Sequence, residues 1–223
     1  MDEIILGLSL AAIIVILYKL IFGWLMYNRS IYKVIYSSYL EYYFKKNKIR
    51  KLSESSAFLE DFGKHRMLFQ LFSVKGQRSP QPYVIIILSS GMYCLKISNA
   101  QGEITGKKTG VWEHTMAFDK KHPEKKVKEK IADPFAELEQ FTKKILEKIN
   151  KIEPQIYKIA VFPDHSILNI KSEEMDGTLI IKRSQLRDTI MNNHKSKDKI
   201  LLDWEIDALW EMVAKDCLKL EER

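Results

Sequence analysis

The chain has 223 residues, a formal charge of +7, and unremarkable apolar and charged fractions of 46% and 29%. That composition excludes wholesale disorder and fits one folded domain with a small appendage. Two cysteines, Cys94 and Cys217, exclude a disulfide framework or a cysteine-rich metal site, and both read as buried thiols.

Residues 4–27 are apolar apart from Lys19 and a few small or aromatic residues. A helix of that length, rising about 1.5 Å per residue, crosses a hydrocarbon core of about 30 Å. Lys19 can snorkel to the headgroups, and Trp24 and Tyr27 suit the interface. The opening Met1-Asp2-Glu3 lacks the positive start of a cleaved signal peptide, and no Ala-x-Ala-like site follows. An uncleaved, single-pass anchor over 1–28 is therefore expected, followed by one domain over 29–223. Arg29, Lys33, Lys45, Lys46, Lys48, Arg50 and Lys51 follow the span. By the positive-inside rule, they put the domain in the cytoplasm at the cell membrane and the short N-terminus outside. The net positive charge also invites a polyanion, either nucleic acid or anionic lipid; the plain reading is a solvated basic surface.

Residues 30–47 carry tyrosines at 32, 36, 39, 42 and 43 among Ile31, Ile35, Leu40 and Phe44, a helical spacing with Ser30 as N-cap. The preferred reading is the domain's first helix, packing its aromatic face on a sheet. A basic, aromatic segment lying on anionic lipid is compatible with it, with Lys45, Lys46, Lys48, Arg50 and Lys51 as polyanion contacts. Residues 52–62 read as a loop or short helix. Residues 67–74 are a strand and 75–81 a turn. Two apolar runs, 83–88 and 92–97, flank Ser89-Ser90-Gly91 and read as a β-hairpin, its first strand covered on both faces. Residues 103–115 form a turn-rich β segment, and the charge run within 118–130 a solvated loop. Asp133-Pro134 begins a helix whose Phe135, Leu138, Phe141, Ile145 and Ile149 make a core-facing stripe. Strands follow at 156–162 and 178–181. Ser184 caps a helix through Met191, and the last helix spans 203–220. The order implies an α/β domain around a mixed central sheet flanked by helices.

This order of elements resembles the nuclease-related domain family, NERD, which has a restriction-endonuclease-like fold. The hairpin with Gly91, then Asn99, Gly102, Ile104, Gly106 and Trp112, resembles the family's central stretch. Asp133-Pro134-Phe135 resembles its Asn-Pro-apolar helix start, residues 156–162 its Val-Val-Phe strand, and 179–190 its C-terminal portion. The resemblance runs over about 32–220 and implies a bacterial or archaeal source.

Active members of such folds carry an Asp on one strand and Glu-x-Lys on the next. Two carboxylates hold a divalent ion that activates water, and the lysine stabilises developing charge. Aligned on Gly91, the Asp position falls at Tyr83, the Glu at Lys96 and the Lys at Ser98; the family's helix glutamine falls at Glu137. Lys96 reads either as a strand-end lysine reaching solvent or as a phosphate contact. Glu41 is a candidate relic of the family's first-helix glutamate. Glu103 is a possible migrated acid, with Asp133, Glu60 and Asp61 behind it, but none has paired spacing. Asp164-His165-Ser166 lacks a nucleophile elbow, and no phosphate-cradling glycine loop is present.

The expected function is a catalytically degenerate, membrane-anchored scaffold that contacts lipid and recruits a protein partner. No metal, cofactor or small-molecule substrate is evident. The alternatives are a non-cleaving nucleic-acid tether and an active metal-dependent nuclease with a rearranged site.

Overall fold

The computed structural model describes residues 2–72, 81–107, 110–119, 122–149, 152–170, 174–175, 177–198 and 200–221. Helix α1 (Asp2–Asn28) is apolar over most of its length, and its Gly7–Asn28 portion is long and apolar enough to cross a membrane. Its last turn is different. Tyr27 and, just beyond it, Ile31 are buried in the domain core, and the Tyr27 hydroxyl donates to the Tyr36 carbonyl at 3.0 Å.

Residues 30–47 form two short helices rather than one: α2 (Tyr32–Ile35) and α3 (Tyr39–Lys45). The break has a local cause. The Ser38 side chain accepts the Glu41 N–H and caps a new helix, a bond that competes with continuation of the first. Ser30 is not the N-cap residue, but its hydroxyl accepts the Tyr32 N–H at 3.2 Å. Helix α4 (Ile49–Leu52) ends where the segment 52–62, read as a loop or short helix, begins, and that segment holds α5 (Ser56–Phe62).

Strands β1 (His65–Phe72), β2 (Gln81–Leu88) and β3 (Gly91–Ile97) pair antiparallel. The turn expected over 75–81 lies outside the described residues except for Gln81, which opens β2. The β2–β3 hairpin sits inside the sheet, as its two-sided apolar sequence requires, and all seven residues of β3 are buried. Gly91 has φ +138°, and a Cβ there would lie 2.4 Å from the Gln155 carbonyl oxygen. That oxygen accepts the Met92 N–H at 2.8 Å, so the glycine lets two backbones meet where β3 enters the sheet.

A second sheet departs from expectation. The stretch 103–115 resolves into β4 (Glu103–Gly106) and the start of β5 (Trp112–Asp119). The charge run expected as a loop is largely a strand, β6 (His122–Ile131), paired antiparallel with β5. It lies at a sheet edge, where charged side chains are tolerated and discourage further pairing. Helix α6 (Pro134–Leu146) follows, capped by Asp133, whose carboxylate accepts the Phe135 N–H at 2.9 Å. Then come β7 (Ile156–Phe162), β8 (Ile167–Ile170), β9 (Glu174–Met175) and β10 (Thr178–Lys182). Ser184 does not cap a helix by its side chain. A 3-10 turn (Arg183–Gln185) precedes α7 (Leu186–Ser196), and the Gln185 side chain accepts the Lys182 N–H at 2.8 Å. Helix α8 (Asp203–Glu221) closes the chain.

The six-stranded sheet runs β1-β2-β3-β7-β10-β9, with β3, β7 and β10 parallel; the four-stranded sheet runs β6-β5-β4-β8. Helices α6 and α8 cover one face of the larger sheet through Leu138, Phe141, Ile145, Ile206, Leu209 and Trp210. Ile104 and Trp112 carry the smaller sheet onto this core. The end of α1 and helices α2, α5 and α7 cover the other face. Cys94 is fully buried, but Cys217 is only half-buried at the core's edge.

Candidate functional site

The β2–β3 register sets Tyr83 directly opposite Lys96. Paired residues of adjacent strands share a face, and this one lies under α6. The Tyr83 ring stacks on Phe141 of α6, with centroids 4.5 Å apart and planes 24° apart. Lys96 Nζ forms an ion pair with Glu137 Oε2 of α6. Lys96 is 4% exposed and Glu137 7%. The solvent-reaching lysine is thus overturned: the side chain ends inside the protein, against a carboxylate. The reason is geometric. Lys96 is on the inward face near the end of β3, where the first turn of α6 crosses it.

Burial lowers the Lys96 ammonium from the usual lysine range to about 8, while the negative charge of Asp133 opposes that shift. Burial also raises the Tyr83 phenol, so it stays neutral. Ser98 stands apart from the pair: its N–H donates to the Val161 carbonyl at 2.8 Å, and its hydroxyl accepts the Ala100 N–H at 3.2 Å. Three of the four positions singled out by the hairpin and helix motifs therefore converge, but on a closed ion pair.

Of the acids considered as migrated ligands, Asp133 lies near enough for its charge to act on Lys96, but its carboxylate is engaged as the α6 cap. The acids that follow are held elsewhere. Glu103 on β4 accepts from the Asn169 amide at 3.1 Å. Asp61 pairs with Arg187. Glu41 is held by Ser37, Ser56 and Lys45. Among the described residues, no three His, Cys, Asp or Glu side chains gather into a metal-holding group.

A family model described as the nuclease-related domain, NERD, matches residues 45–163, just over half of the chain. The chain belongs to the nuclease-related domain family. No curated protein and no solved structure gives a significant match. The matched stretch runs from the end of α3 through β7 and contains the whole Tyr83–Lys96–Glu137 constellation of this NERD domain.

At Tyr83, but without Lys96 or Glu137 in its lining, a cavity of about 1030 Å³ opens between the end of α1 and the C-terminal ends of β3 and β7. Tyr83, Asn99, Arg29, His165, Asp164 and Arg183 contribute to its lining. Asp164 is partly buried, but the Ser184 N–H, at 2.6 Å, and the Arg183 charge hold its carboxyl below the usual range. The Arg183 guanidinium donates to the Arg29 carbonyl, tying the segment after α1 to the turn after β10. Of the basic cluster, Lys45 pairs with Glu41 at 2.8 Å and Arg50 with Glu211 at 3.4 Å, while Lys46, Lys48 and Lys51 are exposed.

One feature of the surface, outside the matched residues, escaped the sequence reading. Ile200, Leu202 and Trp204 are all exposed, Trp204 at 62%. The Ile200 and Leu201 N–H groups both donate to the Ser89 carbonyl, at 2.8 and 2.9 Å. This fixes the ridge at the hairpin turn, the opposite end of β2 and β3 from the cavity. The available signal was Trp204 itself, which falls off the α8 stripe of Ile206, Leu209, Trp210 and Val213.

Proposed function

We propose that this protein is a single-pass, membrane-anchored NERD domain that has lost divalent-metal chemistry and serves as a protein-recruiting scaffold. In this reading 1–28 is the anchor and 29–223 the domain, cytoplasmic by its one-sided excess of Lys and Arg. The Lys96–Glu137 ion pair carries the proposal. A metal would need anionic oxygen ligands where an ammonium now sits, and binding would have to break a buried pair. With Tyr83 neutral and stacked, the aligned positions offer the ion one carboxylate, already engaged.

The Ile200–Leu202–Trp204 ridge supports recruitment of a protein. Large exposed apolar side chains gathered at one place favour protein contacts. Its position far from the end of α1 leaves it open to the cytoplasm in this topology. The test has two arms. The full-length protein in vesicles is incubated with DNA and RNA and Mg²⁺ or Mn²⁺; metal-dependent cleavage overturns the loss of chemistry. In cells, cross-linked partners are compared between the native chain and a Leu202→Asp/Trp204→Asp chain. Specific partners lost in the variant support the scaffold, and an unchanged set removes the ridge from it.

A second reading is a non-cleaving nucleic-acid tether, favoured by Arg29, Arg183 and His165 at the cavity. It requires binding that weakens steeply as salt rises.

A further inference from the structure

We propose that α3 lies in the headgroup layer of the anionic leaflet that α1 leaves, with Leu40 and Phe44 seated among the lipids. This rests on the reading of α1 as a membrane span.

Helix α3 has no buried residue. Leu40 and Phe44 are 61% and 74% exposed. Four positions apart on a helix, they share one face. A short helix on a soluble domain turns such residues inward, yet α3 turns inward a different set. The Tyr39 and Tyr42 rings pack on Tyr27 with centroids 5.6 and 5.7 Å away. Glu41 Oε1 accepts the Ser56 N–H at 2.7 Å, and its Oε2 accepts the Ser37 N–H at 3.0 Å. These bonds fix the rotation of α3, so Leu40 and Phe44 cannot roll into the core.

The depth of α3 follows from α1. A Cβ at Gly23 would lie 2.3 Å from the Tyr39 hydroxyl oxygen. The Tyr39 side chain, at the N-terminal end of α3, therefore reaches α1 five residues before Asn28, about 7 Å back along its axis. The 27 residues of α1 span about 40 Å, longer than a hydrocarbon core of about 30 Å. The excess places the end of α1, with exposed Trp24, in the headgroup layer, and α3 beside it.

Charge selects the occupant. Lys46, Lys48 and Lys51 are exposed next to the apolar face, and Lys46 Nζ sits 4.3 Å from the Tyr43 ring centroid. An apolar face rimmed by lysines matches the acyl boundary and phosphates of anionic phospholipid. Nucleic acid would answer the lysines but leave Leu40 and Phe44 in water.

The test uses the full chain, with Cys217→Ser, in vesicles of phosphatidylcholine with or without phosphatidylglycerol. An environment-sensitive fluorophore is placed by Phe44→Cys, Leu40→Cys, Leu17→Cys or Leu202→Cys, and lipids carry quenchers at shallow or deep positions. Position 17 is expected to respond to the deep quencher. Positions 40 and 44 are expected to respond to the shallow one at least about threefold more than position 202. That response is expected to fall in neutral vesicles and in a Lys46→Glu/Lys48→Glu/Lys51→Glu chain. If position 17 is deep while 40 and 44 behave like 202, the anchor stands and the interfacial helix is rejected. If position 17 is not quenched, the anchor reading fails and takes this proposal with it. Equal quenching at 44 in neutral and anionic vesicles overturns the selection for anionic lipid.

Discussion

Lys96 on β3 and Glu137 on α6 form an ion pair almost fully withdrawn from water. Two such groups are costly to bury, and their mutual attraction offsets that cost only while both are present. Lys96→Met alone strands a carboxylate, and Glu137→Leu alone strands an ammonium. Each single change is expected to cost about 3–5 kcal/mol, while the double change stays within about 1 kcal/mol of the native chain or exceeds it. Denaturant unfolding of the detergent-solubilised full chain, followed by tryptophan fluorescence, measures the cycle. Single losses that simply add in the double variant would show that the two side chains are not coupled.

The same pair sets the response to metal. Titration calorimetry with Mn²⁺ is expected to show no site in the native protein. Lys96→Glu places a second carboxylate against Glu137 without an ammonium between them. Like charges that close raise each other's pKa, so one carboxyl holds a proton until a cation arrives. The variant is expected to be less stable than the native chain, to gain Mn²⁺ binding, and to recover thermal midpoint as Mn²⁺ is added. Mn²⁺ binding by the native protein at the same affinity would contradict the role given to Lys96.

The features legible from sequence are those set by local periodicity. The hairpin, the Asp133 cap and the α6 stripe of Leu138, Phe141 and Ile145 stand where the pattern puts them. Of the second sheet, only the β4 and early β5 stretch was legible. Strand β6 is a run of charges with little apolar alternation, and its partner β5 defines it as a strand. The break between α2 and α3 turns on one capping hydroxyl, Ser38, within an otherwise helical tyrosine spacing. At the site, the sequence located Tyr83, Lys96 and Glu137 separately. Periodicity and motif spacing could not show that α6 would lay Glu137 on Lys96, a tertiary contact between residues 41 positions apart. The opposite charges at those two positions were the available clue.

Gly91 is a separate test of how the hairpin joins β7. Its φ of +138° is a conformation that residues with a Cβ rarely adopt, and the Gln155 carbonyl oxygen occupies the space a Cβ would need. The obstacle is backbone, which cannot rotate away as a side chain can. Gly91→Ala is expected to cost about 2–4 kcal/mol, from backbone strain and a displaced Met92 N–H bond to Gln155. Hydrogen exchange at the Met92 amide measures the local part. An unchanged rate and unchanged stability would show that the strand entry has slack.

The start of α5 should make stability fall in two steps as pH is lowered. Its adjacent first amides have titrating acceptors: the Ser55 N–H donates to His65 Nε2 at 3.0 Å, and the Ser56 N–H to Glu41 at 2.7 Å. His65 Nδ1 is 2.9 Å from the Gly63 carbonyl, so the ring is neutral, with its proton on Nδ1. Burial holds the His65 pKa below 6.5. Below pH 6.5 the unfolded chain takes up a proton that the folded chain refuses, so stability present above 6.5 declines as pH falls to the lowered value. Glu41 makes the second step. Burial alone would raise its pKa, but hydrogen bonds from Lys45, Ser56 and Ser37 outweigh that and bring it from 4.5 down to about 2. Stability present above pH 4.5 is therefore lost between 4.5 and about 2. Discounted for its nearness to the surface, the Glu41 step is on the order of 2 kcal/mol. Glu41→Gln is expected to flatten the lower step and His65→Gln the upper one, each leaving the other in place. Unfolding free energies from pH 8 to pH 2 would read both, and a lower step that survives Glu41→Gln would assign it to other carboxylates.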